Sequence, residues 1–117
     1  MNTDAVPTQR VVLRRIAADH PAFDGHFPGR PILPGVLLLA EVLEAAQSLP
    51  PPFADALGAQ PLLVAVKFLA PVGPDSELVI DLRLDDRQQL AFDVAVGSTA
   101  VASGRWRRGP ASTEPAR

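Results

Sequence analysis

The sequence predicts an α+β domain in which an antiparallel sheet wraps round one long central helix. Two observations carry this reading. The second half of the chain holds four runs whose apolar residues recur at every second position, the period of a strand with one buried face. The first half holds one segment, opening at Pro34 and Gly35 and stopped by Pro50, Pro51 and Pro52, that is apolar all round its first turns and so belongs inside other elements.

Taken in order, residues 1–8 and 109–117 are polar and proline-containing and read as loose ends of a single domain spanning 1–117. Gln9 to Ala18, rich in Val, Leu, Ile and Arg, reads as a strand with imperfect alternation. Asp19 to Leu33 reads as a loop, punctuated by Pro21, Gly25, Pro28, Gly29 and Pro31, and loops of that length are commonly functional. The helix comes next, to about Ser48. Val36, Leu37, Leu38, Leu39 and Ala40 form its apolar half, and Glu41, Glu44 and Ser48 fall at the spacing of one polar stripe.

The strands occupy the rest. Leu62, Val64, Val66 and Phe68 share one face. Leu78, Ile80, Leu82 and Leu84 oppose Glu77, Asp81, Arg83 and Asp85. Leu90, Phe92, Val94 and Val96 form a third set, and Ala100, Ala102, Gly104 and Trp106 a fourth. A lone sheet of this kind leaves an edge unpaired and its helix incompletely covered, and a dimer that extends the sheet solves both problems.

Composition narrows the function. The chain has 117 residues, 47% of them hydrophobic, which suits one domain with a true core rather than a disordered protein. A net charge of −2 and a pI near 5.6 give no reason to expect nucleic acid as a partner. Arg10, Arg14 and Arg15 cluster early and Arg105, Arg107 and Arg108 late; both groups read as solvated faces, with docking of an acidic partner as the alternative. With no cysteine, disulfides and thiolate catalysis are excluded. Residues 1–10 lack an apolar leader core, and the longest apolar run is too short to span a bilayer, so no membrane insertion and a cytoplasmic setting are expected.

The chemistry points to the long loop. His26, between Gly25 and Phe27-Pro28-Gly29, sits on constrained backbone, as a general base requires; the alternative is a structural loop histidine. Gly35 lets a ligand approach the free N–H groups where the helix begins, a place for an oxyanion, or else merely permits the turn. His20 and His26 with Asp19 and Asp24 match no common metal-ligand spacing, and no metal or cofactor is expected. No phosphate loop, dinucleotide fingerprint or nucleophile elbow is present.

The run from Gly25 to Leu37, reading GHFPGRPILPGVL, closely resembles the active-site motif of the FabA/FabZ-like 3-hydroxyacyl-(acyl carrier protein) dehydratases. Val66 to Val72, followed by Asp75 and Leu78, resembles that family's second motif, and Val101 to Gly104 is a weaker match. The resemblance covers roughly residues 11–107 and implies a hotdog fold. It also implies that His26 takes the α-proton of a 3-hydroxyacyl thioester and that the Gly35 N–H holds the thioester carbonyl. Phe27, Pro34 and Val36 would line the substrate's place. The site would lie at a dimer interface, with the histidine from one subunit and a carboxylate from the other, and an acyl tunnel beside the helix.

One position departs from the family. Its acidic residue lies fourteen positions after the histidine, and Ala40 stands there. Glu41 is adjacent but turned by about 100°, whereas Glu44 is about 6 Å further along the axis and on nearly the same face. Glu44 is therefore the preferred substitute and Glu41 the second, against the alternative that both belong to a solvated stripe. The expected activity is dehydration of a 3-hydroxyacyl thioester on acyl carrier protein or coenzyme A, in fatty-acid or specialised polyene synthesis, by a homodimer or an assembly of dimers. Thioester hydrolysis is the second reading. A non-catalytic acyl-binding subunit, favoured by Ala40, is the third.

Overall fold

The computed structural model describes residues 8–23 and 32–110, with only the backbone of Ala22. His26 and Phe27, with the rest of 24–31, lie outside the described residues, as do 1–7 and 111–117.

Five strands form one antiparallel sheet: β1 (Gln9–Ile16), β2 (Pro61–Phe68), β3 (Ser76–Leu84), β4 (Leu90–Val96) and β5 (Thr99–Arg108). Their order across the sheet is β1-β3-β4-β5-β2, which makes β1 and β2 the two edges. The central helix α1 (Gly35–Gln47) lies on one face, and the short α2 (Phe53–Leu57) comes after it.

Alternation works where a strand has a neighbour on each side and the helix beneath. Leu78, Ile80 and Leu82 of β3 and Leu90, Phe92 and Val94 of β4 are all at most 1% exposed. They pack with Leu38, Val42, Ala45 and Ala46 of α1 in one core. On the other face Arg83 reaches Asp93 across the ladder at 2.8 Å; that hydrogen bond, with the charges of Asp93 and Asp81, holds the guanidinium pKa above its ordinary value.

Several expectations need correction. β2 does not bury one face: Leu62, Leu63, Val64 and Phe68 are all more than a third exposed, because β2 is an edge and a bulge between Leu63 and Ala65 breaks its period. In β5 the register shifts opposite Val94/Ala95, so Val101 is buried beside Ala102 while Ala100 is exposed. The helix is not wrapped along its first turns, since Val36 is 72% exposed. Of the two ends, only Thr8, Gly109 and Pro110 are among the described residues. Thr8 accepts from the N–H of Leu84, and the buried Gly109 donates to Gln60 at 3.0 Å.

α2 is an element that the sequence patterns do not predict. After the proline stop the chain turns at once into a second helix, whose Phe53 and Leu57 are at most 1% exposed. At Gly104 a Cβ would lie 2.4 Å from the carbonyl oxygen of Ala65 and 2.6 Å from the Phe92 ring, so this β5 position requires glycine.

Candidate active site

The described part of the first motif, Ile32 to Leu37, delivers the chain into α1. Pro34 is extended at the N-cap, its carbonyl accepting from the N–H groups of Leu37 and Leu38. Helix geometry leaves the first N–H groups, Gly35 and Val36 among them, without intrahelical acceptors. Just ahead, the N–H of Leu33 donates to Val72 at 2.8 Å and pins the motif to the 69–72 loop. That loop is fixed in turn by the bond from Leu69 N–H to Val101, also 2.8 Å. The two sequence motifs therefore meet.

Between them lies a mainly apolar groove of about 470 Å³, bordered by Ile32, Leu33, Gly35, Leu38 and the Phe68–Val72 run. Its volume falls in the range of small-ligand sites. Phe68 is its most informative wall. A Cβ at position 35 would lie 2.7 Å from the ring's Cζ and 3.0 Å from Cε1, so glycine is what lets the ring rest on the start of the helix. In the sequence Phe68 reads as a strand position within the second motif; its juxtaposition with Gly35 is tertiary. A larger cleft of about 550 Å³, lined by Asp55, Arg87, Arg107 and Arg108 among others, lies near the opposite end of the β2–β5 pair and meets no motif residue. Size alone would pick it, but its polar lining and distance from the helix N-terminus leave the smaller groove as the site.

Along α1, Val36, Ala40 and Glu44 recur every four residues and form an exposed stripe. Glu44 thus shares the face of Ala40, as its spacing predicts. Glu41 is turned from it toward β1, where Arg14 lies. The Arg14 Nε donates to Oε1 of Glu41 at 3.2 Å, and its Nη2 lies 3.1 Å from the same oxygen in an ion pair. The same Nη2 also bonds Oε1 of Glu44. Neither glutamate is simply solvated, and Arg14 is not part of a bare basic face. Arg15, beside it, pairs with Asp75. His20 sits in the turn leading out of β1, its ring edge-on to Phe23 with centroids 6.1 Å apart. Among the described residues no group of three or more His, Cys, Asp or Glu is arranged to hold a metal ion.

Gly35 and Glu44 are nine residues apart on the helix, about 13.5 Å of axial rise, and side chains of a helix lean back toward its N-terminus.

An antiparallel sheet with its long helix across one face, and a groove where that helix begins, is the hotdog fold. The chain belongs to the ApeI-like dehydratase family, whose model matches residues 4–105. Among solved structures it superposes on the dehydratase heterocomplex ApeI:P from Xenorhabdus doucetiae, with TM-score 0.70 and 24% identity over 89% of each chain. It also superposes on the (R)-hydratase from A. caviae involved in PHA biosynthesis, with TM-score 0.62 and 16% identity over 91% of this chain and 96% of that one.

Curated relatives include the 3-hydroxyacyl-(acyl-carrier-protein) dehydratase FabZ of Verminephrobacter eiseniae, 34% identical over 67% of this chain and 56% of its own length. The enzyme of the same name from Thermus thermophilus is 36% identical over 76% of this chain and 62% of its own. The chain thus spans little more than half the length of the first of these relatives. Among the described residues no helix is long and apolar enough to cross a membrane.

Proposed function

We propose that this chain dehydrates a 3-hydroxyacyl thioester carried on acyl carrier protein or coenzyme A, as part of a fatty-acid or specialised polyene pathway. The observation that carries the reading is the apolar groove of about 470 Å³ bordered by Gly35 at the start of the helix, where a thioester carbonyl meets the Gly35 N–H and its acyl chain meets Leu33, Leu38 and Val72. His26, which lies between β1 and that groove in the sequence, takes the α-proton, with Phe27 and Pro34 beside it. The electrons of the broken C–H bond pass to the carbonyl oxygen, held by the Gly35 N–H. They return to form the double bond as the 3-hydroxyl leaves. The 3-hydroxyl leaves as water with a proton delivered by Glu44, and the proton that His26 took from the α-carbon later replaces it, so none is gained or lost overall.

Glu44 holds the departing hydroxyl, with Glu41 as its neighbour. The reading includes a second chain, a homodimer or an assembly of dimers, joined along the apolar edge of β2, because Leu62, Leu63, Val64 and Phe68 are exposed there. A cytoplasmic setting belongs to the same reading. Ala40 favours a second reading, an acyl-binding subunit whose partner supplies the acid; a structural relative is itself a dehydratase heterocomplex.

The test is incubation with a 3-hydroxyacyl carrier-protein thioester, followed by mass spectrometry. Loss of one water from the acyl group supports dehydration. Release of free acid would make the chain a thioesterase. An unchanged, bound substrate favours the acyl-binding reading.

A further inference from the structure

Glu41 and Glu44 are held by an arginine roughly thirty residues upstream on another element, and the arrangement is directional. Arg14 lies on the face of β1 that carries Val12 and the buried Ile16, turned toward the helix. Its side chain is 26% exposed and that of Glu41 23%, so this hydrogen-bonded ion pair forms the inner half of the cluster. Glu44, 68% exposed, is the outer end and stands on the stripe of Ala40. A glutamate at the surface samples many rotamers, whereas one bonded to a guanidinium that is itself fixed does not.

We propose that Arg14 is a positioning residue: Glu41 fixes its guanidinium, and the guanidinium fixes the Glu44 carboxylate beside Ala40, the position where the family carries its acid. This rests on the dehydratase reading above and deepens it. An acid moved one helical turn from its usual place reaches the reacting hydroxyl only if its carboxylate is held in one orientation, because small misplacements of a catalytic group are costly. The arrangement also divides the two glutamates by role. Glu44 meets the substrate, and Glu41 acts through Arg14 without touching it. Each carboxylate bonds Arg14 through Oε1 alone, which leaves the Oε2 of Glu44 for the substrate.

The test is steady-state dehydration of a 3-hydroxyacyl carrier-protein thioester by the full chain and its Arg14→Gln, Arg14→Lys, Glu41→Gln, Glu44→Gln and Arg14→Gln/Glu44→Gln variants, with melting curves for each. Arg14→Gln is expected to lower kcat by ~10–100-fold while KM stays within about twofold. Lysine should restore part of the loss, Glu41→Gln should lose less than Arg14→Gln, and the double variant should be no worse than Glu44→Gln alone. A folded Arg14→Gln variant with full kcat, a rise in KM alone, or losses that multiply in the double variant would overturn the proposal. Should Arg14→Gln fail to fold, Glu41→Gln decides: undiminished kcat overturns the proposal as well. A wild-type chain that dehydrates nothing instead overturns the dehydratase reading itself.

Discussion

Gly35 meets two demands that a single substitution would confuse. In the proposed reading its N–H is offered to a thioester oxygen, while its missing Cβ gives room to the Phe68 ring. Gly35→Ala keeps the N–H, so a loss of activity that a smaller residue at position 68 relieves passes through the ring. We expect Gly35→Ala to lower kcat/KM, and Gly35→Ala/Phe68→Leu to recover most of it in the dehydration assay; a double variant as poor as the single would show that the ring is not the cause. Legibility in the sequence differed between residues. Gly35 was readable because its motif is contiguous. The Arg14 cluster was not, because a contact across about thirty residues leaves no local period, although an arginine in line with Val12 and Ile16 on an inward strand face, opposite two glutamates three apart on one helix, is a signal that can be sought.

Among the elements, β3 and β4 were legible because both lie inside the sheet with one face on α1, and burial then enforces period two. β2 has the same sequence pattern but lies at the edge, so its pattern did not report its burial. α2 was missed because the proline run signals a stop and its five residues are too few to show a helical period. Phe53 is only 1% exposed, and Phe53→Ala should cost ~3–5 kcal/mol of unfolding free energy in urea titrations, whereas a small effect would mean that α2 is not part of the core.

The β3–β4 turn makes a pH prediction. Asp85 accepts from the N–H groups of Gln89 and Arg87, and these bonds, that of Gln89 foremost, with Arg105 nearby, hold its pKa below the ordinary 3.8. A carboxyl with a lowered folded pKa adds stability that is fully present well above 3.8 and lost as pH falls toward and through the folded value. Urea midpoints should therefore fall in that acid range, and Asp85→Asn should flatten the fall. An identical pH profile for the variant would remove Asp85 from the account.

At the scale of the whole molecule, the proposed dehydratase reading calls for a second copy of the chain. Its β2 edge exposes Leu62, Leu63, Val64 and Phe68, and its helix exposes Val36. The most direct measurement is complementation. His26→Ala and Glu44→Gln are each prepared, shown to be nearly inactive, mixed under conditions that exchange subunits, and assayed for dehydration. A site split between chains predicts recovery toward about a quarter of wild-type activity, because half of the randomised dimers are mixed and each mixed dimer holds one intact site. Mixed dimers that form and still dehydrate nothing would contradict it.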